Sequence, residues 1–143
     1  MPAPNSCRIL EGRLLEIDIA SGYRVLQDVD YMMAAIAQAL ARVPERTRVV
    51  IAADWRPCKL FTPEVAERVV AMFTRDNVRI ERSAILHTAD QATSVLQVMR
   101  LIRESGHPNR QVFTDTKAMR DFLDQVLNER ERTRLTQFLA SRT

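Results

Sequence analysis

Five apolar residues in a row, Val49-Val50-Ile51-Ala52-Ala53, end abruptly at Asp54. A strand built from them has no polar face and needs cover on both sides, which is the situation of a central strand in a parallel sheet flanked by helices. The neighbouring segments supply such helices. Upstream, Met33, Ile36, Ala37 and Leu40 recur at helical spacing, with Asp28 or Asp30 as N-cap and Pro44 as stop. Downstream, Thr62-Pro63-Glu64 reads as N-cap, N1 proline and first-turn acid, and Val65, Val69, Met72 and Phe73 then share one face.

The rest of the chain repeats this alternation. Between Arg8 and Ile19 the pattern becomes strand-like, with Leu15, Ile17 and Ile19 on one face and Glu16 and Asp18 on the other. Ala20-Ser21-Gly22 predicts a turn into a second short strand at Tyr23 to Val25, so the domain is expected to open with an antiparallel hairpin. A strand around Ser83 to His87 follows the Thr62 helix. Thr88-Ala89-Asp90-Gln91 fits a capping box for a helix with the stripe Val95, Leu96, Met99 and Ile102. Gly106 and Pro108 end that helix, and Gln111 to Thr114 is short enough for an edge strand. Thr114 or Asp115 caps a helix that buries Met119, Phe122, Leu123 and Val126. Asn128 to Glu131 looks like a capping box for a last helix carrying Leu135, Phe138 and Leu139.

The expected architecture is a single α/β domain over residues 1–143, ordered ββαβαβαα, with a sheet that is parallel after the opening hairpin. Its length suits one core without metal or disulfide staples. A net charge of +3 with both signs interspersed argues against a nucleic-acid partner, and the arginines of the last helix alternate with glutamates as on a solvated face. Two cysteines, Cys7 and Cys58, point to a reducing compartment rather than a disulfide scaffold. No basic start with an apolar signal run and no stretch of about 18 apolar residues is present, so the expected location is cytoplasmic, with no integral membrane segment.

Ligands of open parallel sheets sit beyond the carboxyl ends of the strands, which singles out Asp54, Trp55, Arg56, Cys58, Phe61 and Thr62 after one strand, His87, Thr88 and Asp90 after the next, and Asp115 after the last. Asp54, His87 and Cys58 or Thr62 contain the residue types of an acid, base and nucleophile set. No Gly-x-Ser-x-Gly elbow or glycine-rich phosphate loop accompanies them. Trp55, beside Arg56 and near Phe61, reads either as an interface anchor or as a cover over the end of the core. His87, His107, Cys7 and Cys58 lack the close pairing of zinc ligands, so neither metal nor cofactor is expected.

In its opening hairpin, in the strand Val49 to Asp54, in the helix begun at Thr62 and in the strand Arg82 to Leu86, the chain resembles the STAS (sulfate transporter and anti-sigma-factor antagonist) domain. Within that family it more nearly resembles the SpoIIAA-like, STAS/SEC14 branch of small bacterial proteins. The resemblance spans nearly the whole chain. It implies a non-enzymatic regulatory or protein-interaction module that binds a protein partner or a second copy of itself, with a small apolar or anionic ligand as a further possibility at the same rim. In anti-sigma antagonists a serine at the start of the helix after that strand is phosphorylated by a partner kinase. Thr62 falls nearest that place, and Leu60-Phe61-Thr62-Pro63 stands where the family has Asp-Ser-Ser-Gly. Two readings compete with this one: a small hydrolase or transferase using Asp54 and His87, and a structural homo-oligomer assembled through the C-terminal helix.

Overall fold

The computed structural model describes residues 4–142. Val49–Asp54, the third strand (β3), is buried along its whole length, as an apolar run covered on two sides must be. Its neighbours are β2 (Leu14–Asp18) and β4 (Ile80–Leu86), both parallel to it, and the sheet is completed by β1 (Ser6–Glu11), antiparallel to β2, and by β5 (Arg110–Phe113), parallel to β4. The strands lie in sequence order, β1-β2-β3-β4-β5. Helices α1 (Leu26–Leu40), α2 (Pro63–Asp76) and α3 (Ala92–Ser105) join β2 to β5, while α4 (Thr116–Asp124) and α5 (Glu129–Ala140) follow. The observed order is ββαβαβαβαα, in which the edge strand expected at Gln111 to Thr114 is β5.

Each crossover moves one strand in the same direction, and connections of a single hand then place their helices on the same face. The two cores agree with this. Ile17, Ile51, Ala53 and Ile85 pack with α1, α2 and α3 on one face, whereas Leu14, Val50, Ala52, Ala84 and Leu86 pack with Met119, Leu123, Leu135 and Phe138 of α4 and α5 on the other. Among the described residues no helix is long and apolar enough to cross a membrane.

The hairpin turns earlier than Ala20-Ser21-Gly22, at Gly12, which adopts a left-handed φ of 54°. A Cβ there would collide with the carboxylate of Glu131. That carboxylate accepts from the Arg13 N–H at 2.8 Å and, through its other oxygen, from Asn128 N–H at 2.9 Å, so the capping box of α5 also holds the hairpin turn. The predicted strand at Tyr23 to Val25 is a loop because its backbone groups are used otherwise. Asn5 binds Ser21 N–H and the Gly22 carbonyl, while the Asp28 carboxylate accepts from Arg24 and Val25 N–H. Asp28 is thus the third residue of α1 rather than its cap, and Val25 occupies the cap position.

Four further corrections share one cause, the tertiary surroundings of the helix or strand. Ala37 is exposed and α1 buries Val29, Met32, Ile36, Ala39 and Leu40 instead. In α3, Leu96 is 65% exposed and Met99 42%, while Ser94, Val98, Leu101 and Ser105 face inward. Polar contacts fix that rotation: Gln97 donates to the Phe61 carbonyl and accepts from Phe61 N–H, and Ser105 Oγ accepts from Arg110. No side chain of Thr88 to Gln91 caps α3. Glu16, assigned by alternation to an outer face, is buried beneath α5, where Arg134 binds both its oxygens at 2.6 and 2.8 Å.

Two stability measurements follow from these contacts. Gly12→Ala is expected to lower the free energy of unfolding by about 1–3 kcal/mol, since it combines left-handed strain with displacement of Glu131. Arg134→Met is expected to cost about 3 kcal/mol by leaving the buried Glu16 charge only the exposed Arg8, 3.6 Å away, and adding Glu16→Met restores most of the loss. Urea titration of the single and paired variants reads both.

Candidate functional site

The parallel register places Asp18 beside Asp54, Asp54 beside Leu86 and Leu86 beside Phe113, so the loops after β2, β3, β4 and β5 share one edge of the sheet. The backbone continues this pairing past the strand ends, with Ile19 N–H on the Asp54 carbonyl, Trp55 N–H on that of Leu86 and His87 N–H on that of Phe113. The juxtaposition expected of residues 53 and 87 is therefore present. The strand order never reverses, so the crevice that open sheets carry at a reversal does not form.

Asp54 is buried at the middle of this rim, and its charge is neutralised from two sides. Arg56 approaches in a fork, Nε on Oδ1 at 3.0 Å and Nη2 on Oδ2 at 2.9 Å, and its backbone N–H adds a third bond to Oδ1 at 3.1 Å. Arg142, arriving from the end of α5, sets Nε 3.0 Å from Oδ2, pairs with Asp18 through Nη2 and lies 3.9 Å above the Phe138 ring. Arg56 also donates to the Arg142 carbonyl. Both oxygens of Asp54 are thus engaged by arginine, a structural use of the carboxylate rather than the open geometry of a general base.

His87 is 1% exposed. Its Nδ1 accepts from Thr88 N–H at 2.8 Å, which leaves the proton of the neutral ring on Nε2, and Nε2 makes no hydrogen bond among the described residues. Burial lowers the imidazole pKa from its ordinary 6.5, against the opposing influence of the Cys58 backbone and of Asp54 and Asp90. Cys58 is a buried free thiol, and burial pushes its pKa up to about 12, so the thiolate needed by a nucleophile is disfavoured. None of the hydrogen bonds of Asp54, His87 and Thr62 joins one of these side chains to another.

Trp55 and Phe61 face inward, so the anchor reading of Trp55 gives way to the cover reading. Trp55 is 2% exposed, with its ring 5.4 Å from Tyr23, 5.9 Å from Phe61 and 5.7 Å from Phe73. Together these rings close the end of the core under the rim. Thr62, Asp90 and Asp115 are exposed and Thr88 is half-buried. Thr62 accepts from Val65 N–H as the N-cap of α2, and Asp115 accepts from Ala118 N–H as the N-cap of α4. Beside Thr62 runs an open groove between the β2–α1 and β3–α2 loops, lined by Ser21, Arg24, Pro57, Lys59, Leu60 and Thr62. Thr88 and Asp90 do not line it.

Sequence reasoning missed Arg142 at the rim, because nothing local to α5 signals that its end reaches Asp54 across 88 positions of chain, 142 minus 54. It also missed Arg24 and Lys59 as partners in one groove, which only the β2–β3 pairing brings together. Among the described residues no group of three or more His, Cys, Asp or Glu is placed to hold a metal ion. Compared with models of known families, with curated proteins and with solved structures, the chain matches none.

Because the folded state lowers the His87 pKa, the unfolded chain binds more protons as the pH drops below the ordinary value of 6.5, and stability is lost on acidification through that range. His87→Gln is expected to flatten this part of the stability-against-pH curve. Thermal melts of both proteins from neutral pH down to about pH 5 test it, and an unchanged slope contradicts it.

Proposed function

We propose that the chain is a non-enzymatic, STAS-like interaction module whose protein partner docks on the groove between the β2–α1 and β3–α2 loops. One contrast supports this reading. The reactive groups of the rim are spent internally: Asp54 on Arg56 and Arg142, His87 Nδ1 on Thr88, and Cys58 in the core. The residues left facing outward are of the recognition kind, with Leu60 58% exposed between Lys59 and the α2 cap Thr62, and Arg24 opposite. Two cations and an aliphatic side chain favour a partner segment that is acidic and apolar.

Thr62 stands where a phosphoryl group would have both the strongest local support and the largest effect. At the start of α2 Pro63 has no N–H and Val65 N–H is held by Thr62 Oγ1, so a phosphoryl group would meet the Glu64 N–H and the positive end of the helix dipole, and its negative charge would change how the groove meets an acidic partner. The competing hydrolase reading has one observation in its favour, the unbonded Nε2 of His87. The oligomer reading has less, since Leu135, Phe138 and Leu139 of α5 are buried on the sheet.

Affinity capture from the native host with the wild-type chain, Leu60→Glu and Thr62→Glu tests the proposal. Leu60→Glu is expected to weaken capture of the principal partner at least tenfold, and Thr62→Glu to change its affinity, both with melting curves close to wild type. Equal affinity of all three proteins removes the groove from consideration. Hydrolysis of a broad ester panel that disappears in His87→Gln replaces the proposal with the enzymatic reading.

A further inference from the structure

Inside the core between the sheet and α2, beneath the rings that close the rim, lies a polar enclave. Tyr23, Asp76, Ser83 and Arg110 are all buried, and they line a common cavity of about 30 Å³ whose other walls are apolar, among them Ile51, Ala53, Met72 and Phe73. Arg110 is the unusual member. It lies 4.2 Å above the Phe73 ring, and its Nη1 donates to two neutral acceptors, Asn77 at 2.7 Å and Ser105 at 3.2 Å. Asp76, the carboxylate that acts on it electrostatically, is bound by Arg75 at 2.8 Å. Burial lowers the Arg110 pKa to about 10, and the Tyr23 hydroxyl is pushed well above its ordinary value, chiefly by burial.

Two donors in this enclave make no hydrogen bond among the described residues: the Tyr23 hydroxyl and Arg110 Nε–H. Leaving a buried polar group unpaired is costly, and more so when it is charged. Both belong to residues lining the cavity, so whatever fills it has to accept hydrogen bonds. Charge and size restrict that occupant. Arg110 disfavours a cation and Asp76 an anion, whereas a neutral molecule that both accepts and donates suits the pair. A volume of 30 Å³ exceeds the roughly 10–15 Å³ needed for a water and is well below the roughly 150 Å³ that houses a benzene ring.

We infer that this cavity is a binding site for ordered water, holding one or two molecules that accept from Arg110 Nε–H and the Tyr23 hydroxyl and donate toward Asp76 or Ser83. The hydrated enclave joins the β2–α1 loop, the end of α2, β4 and the start of β5. It is a polar element of the core that shares Tyr23 with the lining of the proposed groove.

The test has two arms on the intact protein. In the first, ¹⁵N-edited NMR of the folded chain is expected to give a cross-peak of long-lived water at Arg110 Hε, lost in Ala53→Val, which narrows the cavity without removing a polar partner. In the second, a crystal grown with bromide as the only halide is expected to show a peak within hydrogen-bond distance of Arg110 Nε without anomalous signal. A resolved Arg110 Hε with no water contact, or a site empty in the electron density, overturns the inference. An anomalous peak there overturns it in favour of an anion. Capture of a partner through Leu60 and Thr62 bears on neither arm.

Discussion

The burial of β3 on both faces is the constraint from which the remaining structure follows. Six consecutive buried residues require a layer of helices on each side. Three crossover helices cover one face because the strands advance in one direction, so the other face falls to what remains of the chain after β5. That is why α4 and α5 exist as a pair with apolar stripes. It is also why Glu16, next to β3 on β2, has to meet a cation from α5 instead of water.

The same constraint shapes the rim. Asp54 is the residue at which the apolar run stops, and it stops still inside the protein. A buried carboxylate is tolerated only with compensation. Arg56 supplies it from the next loop and Arg142 from α5, the helix recruited to cover the second face. The groups that look reactive in a linear reading are therefore structural in three dimensions. What faces outward is carried by the following loop, whose inner half, Trp55, Cys58 and Phe61, anchors in the core while Lys59, Leu60 and Thr62 project.

Much of this was legible from residue order. The central strand, the α2 start at Thr62 and Pro63, the capping box at Asn128 and Glu131, and the shared edge of the loops after β3 and β4 all rest on local chemistry or on the handedness of crossovers, and each stands in the structure. The misplacements arise where a distant side chain outbids the local pattern. Asp28 and Asn5 consume the backbone that would have made a strand at Tyr23, Gln97 rotates α3 away from its apolar stripe, and Glu131 selects Gly12 as the hairpin turn. Gly12 was a visible signal, a lone glycine in a strand pattern, whereas the reach of Arg142 to Asp54 had no sequence counterpart.

Because the strands never double back, the two margins of the sheet were made by different parts of the chain and are chemically unlike. One is the six-residue outer strand of an antiparallel hairpin, and the other is the four-residue β5, laid down last and parallel to its neighbour. A further strand–helix unit appended in register with β5 would lengthen the array without disturbing any existing crossover. The brevity of β5 works against such growth from outside, since so short a margin offers a passing strand few backbone groups to grip.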